Sequence, residues 1–129
     1  MMTTKYLIDT EVLIKSLSGE DPYDSLVAKW IQKDEIAFSS IVVAEFMGKA
    51  SELEIEKLSL LLDEFGVAAV DRQIAESAGL MQADLARKGV FKPISVCILA
   101  STAKVFEWIV ATTRPEFYKD LGIEILEVS

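Results

Sequence analysis

The chain has 129 residues, is 51% hydrophobic and 26% charged, and carries 21 acids against 13 bases for a net charge of −8. It contains no histidine and a single cysteine, Cys97, which excludes a Ser-His-Asp triad, a Cys-His dyad, His-ligated zinc, a thiolate cluster and an internal disulfide. Carboxylates, hydroxyls, Lys, Arg and a hard cation remain as tools for chemistry, and the acidic balance argues against a protein that coats duplex nucleic acid.

In chain order, Lys5-Tyr-Leu-Ile-Asp9 is a short apolar run that halts at an acid and predicts a strand. Thr10 opens a helix through Val12, Leu13 and Leu17 that closes at Gly19. After the turn Gly19–Pro22, Leu26, Val27, Trp30 and Ile31 fall on one face of a second helix. Ile36-Ala-Phe38 is a second short strand, and Ser39-Ser40 caps a helix from Ile41 to Ala50. Ser51 caps the next helix, with Leu58, Leu61, Leu62 and Phe65 as its apolar stripe and Gly66 as its end. Val67–Val70 reads as a third strand, and Asp71 caps a long helix to Lys88, stopped by Gly89. Ile94–Ala103, apolar all round, predicts a buried helix after Pro93. Trp108–Thr112 and Ile123–Val128 are the closing strands, with a short helix from Pro115 to Leu121 between them.

Strands alternating with helices predict one α/β domain over residues 1–129, a three-layer α/β/α sandwich around a mostly parallel sheet of about five strands. Met1 to Asp9 offers too little apolar chain for a signal peptide, and no run of about 18 apolar residues occurs. A cytoplasmic protein with no membrane span is the expectation. The acid excess is uneven: residues 51–64 hold five acids and one Lys, half of the net charge, which reads as a solvated helix face.

Ligands of open parallel sheets bind outside the carboxyl ends of the strands. The polar residues that fall there are Asp9, Thr10 and Glu11, then Ser39 and Ser40, then Asp71, then Thr112, Thr113 and Arg114. Asp9 directly follows an apolar strand, either as a helix cap or as a site carboxylate. Glu45 shares a helix face with Ile41 and Val42, where a carboxylate calls for a cation or hydrogen bonds; the alternative is an i,i+4 pair with Lys49. Asp71 reads as a cap and Cys97 as a packed core thiol. Trp30 belongs to the core or to a partner-binding face.

Four segments together resemble one family. Tyr6-Leu-Ile-Asp-Thr-Glu-Val-Leu-Ile14 is similar to the opening strand and acid of PIN-domain proteins, and Ser39-Ser-Ile-Val-Val-Ala-Glu45 to their second element. Pro93–Ala103 resembles the third, and Ile109–Phe117 with Leu121–Leu126 the fourth strand, its turn and the closing strand. The order and size of the whole chain resemble VapC-type toxins. The resemblance implies a ribonuclease that cleaves RNA phosphodiesters with Mg²⁺ or Mn²⁺ held by three or four carboxylates, a chemistry that needs no histidine. It also implies RNA and a small antitoxin-like protein as partners, and a homodimer.

This chain departs from that pattern at two of the four acids. Asp9 and Glu45 are present, but the third acid falls at Val96, beside Ser95, and the fourth at Thr113 or Arg114. Glu116 matches a less central family acid, so the resemblance gives Asp9, Glu45 and Glu116 as catalytic and metal-binding residues, with Glu11 as a further carboxylate near Asp9. One weakly held ion at most and weakened or lost hydrolysis are the expectation, with a non-catalytic PIN-like binding protein as the alternative. Arg114 could pair with Asp9 or Glu45, or hold a phosphate. A phospho-acceptor receiver domain would need a Lys directly after Thr112, and a haloacid-type phosphatase an acid-metal pattern at the second strand; neither is present.

Overall fold

The computed structural model describes residues 4–129; Met1 to Thr3, the start of the segment read for a targeting signal, lie outside it. Among the described residues are β1 (Tyr6–Ile8), α1 (Thr10–Leu17), α2 (Tyr23–Gln32), β2 (Ile36–Ala37) and α3 (Ser40–Met47). Then come α4 (Glu52–Phe65), α5 (Arg72–Arg87), α6 (Ile94–Phe106), β3 (Ile109–Thr112), a 3₁₀ turn (Pro115–Phe117) and β4 (Ile125–Glu127).

The four strands form one wholly parallel sheet in the order β2-β1-β3-β4. Leu7 pairs with Ala37 on one side and with Val110 on the other, which makes β1 central. The connection from β1 runs outward to β2, whereas that from β3 runs the opposite way to β4. Helix α1, which follows β1, packs on α2, α3 and α4, while α5 packs on α6, the helix that leads into β3. The winding of the connections reverses between β1 and β3, and their adjacent carboxyl ends form the topological switch point.

The strands are short and apolar because both faces are covered: Leu7, Ile8, Val110 and Ala111 are fully buried. Val12 and Leu13 of α1, Val42 and Phe46 of α3 and Leu58 of α4 join them in the main core. Helix α6 is buried from Val96 to Ala103, since one side meets the sheet and the other meets Ile74 and Ala78 of α5 through Cys97 and Ile98. Cys97 is therefore a core thiol.

The sheet has four strands, not five. Val67–Val70 contributes one bridge, Ala68 to Ser39, with Ala68 N–H donating to the Phe38 carbonyl at 2.8 Å. Pairing stops there because Val70 N–H donates to the Ser40 hydroxyl at 3.0 Å and Asp71 N–H to the Ala69 carbonyl at 3.0 Å. The helix expected from Pro115 to Leu121 is only a 3₁₀ turn ending at Phe117. Of the α4 stripe, Leu58 alone is fully buried, with Leu61, Leu62 and Phe65 packed at the edge of the core. Trp30 is buried and stacked on Tyr6, with ring centroids 4.5 Å apart, so of its two readings it takes the core one and not the partner-binding face.

Candidate functional site

Asp9 leaves β1 with its N–H donating to the Ala111 carbonyl of β3 at 3.0 Å, so the β1–β3 hydrogen bonding extends to the switch point. Its side chain caps α1, where Oδ1 accepts from Val12 N–H at 3.0 Å. Oδ2 accepts from the hydroxyl of Thr112, the last residue of β3. Thr112 is fully buried, and its Oγ1 also accepts from Arg114 N–H at 3.0 Å, which fixes the hydroxyl hydrogen toward Asp9. Burial raises the Asp9 carboxyl above its usual 3.8, against the lowering effect of the Thr112 and Val12 hydrogen bonds, while Glu11 nearby adds a further rise.

Glu45 reaches the same place from α3. Its Oε1 accepts from the hydroxyl of Thr10, the first residue of α1, at 2.7 Å. The carboxylate is exposed at the rim rather than buried on an apolar stripe, and it forms no ion pair with Lys49. Asp9 and Glu45 thus open on one cleft of ≈ 250 Å³, which Glu11, Lys49, Ser95, Val96, Thr113, Arg114, Phe117 and Tyr118 also line. Tyr118 is nearly fully buried, and burial, then the carboxylates of Asp9 and Glu45, then the Cys97 thiol push its phenol above the usual range. It therefore stays protonated and can donate a hydrogen bond.

Glu116 does not join them. The tight 3₁₀ turn leaves its side chain exposed and off the cleft, while its backbone carbonyl accepts from Lys92 Nζ at 3.2 Å. Glu11, two residues past Asp9, does line the cleft. No group of three acids converges closely enough to hold a metal ion among the described residues. Asp71 caps α5 through Ile74 N–H at 2.9 Å and does not line this cleft. Thr10 and Thr112, which orient the two acids, are hydroxyls at a helix start and a strand end; their placement after apolar strands was the one signal for them in the sequence. Tyr118 carried no such signal. A larger hollow of ≈ 330 Å³, between Lys104, Trp108 and Glu124, lies at the opposite, amino-terminal ends of the strands.

The donor chemistry fits one hard cation and not two. Mg²⁺ binds through one or two carboxylates while keeping several waters. Here both Asp9 oxygens already accept hydrogen bonds, and Glu45 retains one oxygen, Oε2, with no protein donor.

The PIN domain family model matches residues 6–119, most of the chain. Among solved structures, a chain of VapBC2 from Rickettsia felis bound to a DNA fragment from its promoter has a TM-score of 0.81 at 20% identity, covering 98% of this chain and 100% of that one. A chain of DNA-bound VapBC from Salmonella typhimurium has a TM-score of 0.73 at 23% identity, with 97% and 98% covered. A chain of a toxin-antitoxin complex from Klebsiella pneumoniae has a TM-score of 0.75 at 18% identity, with 96% and 100% covered. At these identities the likeness is one of fold. No curated protein matches the sequence.

Proposed function

The chain belongs to the PIN-domain family, with the fold of VapC-type toxins, and from that premise we propose that it is a weakened, metal-dependent endoribonuclease acting as a single domain in the cytoplasm. One observation carries the reading: Asp9 and Glu45, from different elements, open on one cleft at the switch point, each oriented by a threonine hydroxyl. The weakness follows from Val96, Thr113 and Arg114, which line that cleft where the family resemblance asks for acids.

Asp9 and Glu45 would hold a single Mg²⁺ or Mn²⁺. Such an ion supplies a water of lowered pKa and positive charge against a phosphate. The chain's own residues prepare the rest. Thr112 holds Asp9, Thr10 holds Glu45, and the Tyr118 phenol, which keeps its proton, offers a hydrogen-bond donor to the cleft. A carboxylate pair alone repels RNA, so the substrate must be drawn by the ion or by cations at the rim.

The toxin-antitoxin setting of the structural relatives supports a small antitoxin-like protein as partner, and the nuclease reading adds RNA. We extend the proposal to a homodimer, which light scattering would report as twice 14.3 kDa. The decisive assay incubates purified protein with a mixed-sequence RNA and Mn²⁺. Slow cleavage that EDTA abolishes and that Asp9→Asn lowers at least tenfold supports the reading. An absence of cleavage, joined to no heat of binding with millimolar Mn²⁺ or Mg²⁺, sinks it in favour of the non-catalytic binding protein.

A further inference from the structure

The rim of the cleft carries two cations as well as its acids. Arg114 stands in the turn after β3, and Lys49 follows α3. Both are exposed and both line the cleft that Asp9, Glu11 and Glu45 share. Neither forms an ion pair with any of them; the salt bridges among the described residues lie elsewhere, at Lys5–Asp34, Lys15–Glu20, Arg72–Glu76 and Lys88–Asp84. Two cations beside three carboxylates that stay unpaired are available to an outside anion.

Arg114 is also held in position. Its backbone N–H is fixed to Thr112 Oγ1, and its guanidinium carbon lies 5.5 Å from the centroid of the Phe117 ring. This cation–π contact holds the guanidinium beside the ring, and its planar fork matches a phosphate with two parallel hydrogen bonds. Phe117 lines the same cleft and is half buried, so part of its side chain is exposed to a bound nucleotide there. At ≈ 250 Å³ the cleft is smaller than the roughly 300–1,000 Å³ of small-molecule sites. That size suits one unit of a chain that continues past the rim. With a net charge of −8 the rest of the molecule adds no general attraction for nucleic acid, so the recruitment has to be local.

We propose that Lys49 and Arg114 form a phosphate-binding pair that holds single-stranded RNA at the cleft without a divalent ion. An acid at position 114 would repel the phosphate and need an ion as bridge; the arginine takes the phosphate directly. Substrate binding and metal binding, joined where carboxylates line the whole site, are separate here. The proposal takes from the nuclease reading only the identity of the polyanion.

Fluorescence anisotropy of a labelled eight-nucleotide RNA, in EDTA and in Mn²⁺ over a range of salt, tests it. The wild-type protein should bind in EDTA within about threefold of its affinity in Mn²⁺. K49Q/R114Q should weaken binding in EDTA at least tenfold and reduce the slope of log affinity against log salt by about 1.4, the share of two phosphates on a single strand. R114K, which keeps the charge and loses the planar stack, should fall between them. Both positions are exposed, and matching thermal melts of the variants show that the fold is kept. Binding that requires Mn²⁺ and ignores K49Q/R114Q overturns the pair while leaving the nuclease reading to the cleavage assay. Displacement of RNA by poly-glutamate as readily as by unlabelled RNA identifies a general anion site and overturns the RNA assignment. No RNA bound in either condition ends both.

Discussion

Asp9 is asked to do two incompatible things: to sit in a nearly closed site and to carry a charge there. Both oxygens have donors, from Val12 N–H and the Thr112 hydroxyl, yet burial dominates and its carboxyl titrates above the usual 3.8. The folded chain therefore binds this proton more tightly than the unfolded chain does. The contribution of Asp9 to stability is greatest below 3.8 and declines as pH rises from there through the raised folded value. Asp9→Asn removes the charge and keeps an oxygen for Val12 N–H, so it should melt at a higher temperature than wild type near pH 7. The difference should shrink toward pH 4. Melts in EDTA across that range check it, and a pH-independent difference would count against a raised Asp9. The hydroxyls that make this site are the part hardest to read from the sequence. Glu45 looked like an inward acid because Ile41 and Val42 share its face, but α3 turns so that Val42 and Phe46 face the core and Glu45 the rim. Its Thr10 partner is 35 residues away, and Thr112 is 103 residues from Asp9. Periodicity registers neither distance.

At the scale of elements, local signals were legible wherever the backbone needed a named side chain. Ser39, Ser51 and Asp71 each cap the helix they were expected to cap, and at Ser51 the Glu54 carboxylate returns the bond to form a full capping box. Apolar runs were a poorer guide, because they report hydrophobicity without its geometry. Val67–Val70 reads as a strand, yet Val67 is 47% exposed and the segment bridges the sheet at one residue only. In α4 a four-residue apolar stripe was expected, and one member is sealed. The helix lies across the edge of the core, so its acidic first turn and much of its length stay in water. A pair of substitutions separates the two kinds of leucine. Leu58→Ala should cost about 2–5 kcal/mol, because a fully enclosed side chain leaves a cavity. Leu60→Ala, at a position 71% exposed, should change stability by less than about 0.5 kcal/mol. Urea denaturation with unchanged slope reads both, and equal losses would mean that α4 docks by a different face.

For the whole molecule, the acid excess and the acid site are separate things. Half of the −8 charge lies on α4, whereas the switch point that the fold builds carries two oriented carboxylates and non-acidic residues at 96, 113 and 114. The sheet order, the β1–β3 register and the threonine clamps are all in place, so under the proposed reading side chains, and not architecture, would limit metal binding. Restoring the carboxylates should therefore restore the metal. Val96 is 6% exposed and Thr113 half buried, and both line the cleft. In Val96→Asp/Thr113→Asp two further acids crowd Asp9, which destabilises the metal-free protein through burial and like-charge repulsion. An ion that binds only the folded form offsets this by about 2.7 kcal/mol at a hundredfold excess over its Kd, a rise of roughly 10 °C for a chain of this length. The double variant should thus melt below wild type in EDTA and gain far more from Mn²⁺ than wild type does. Differential scanning calorimetry with and without Mn²⁺ measures both shifts. If wild type and variant respond equally to the ion, the cleft geometry, and not the missing acids, sets the limit, and the residues at 96 and 113 are not where this fold would hold a metal.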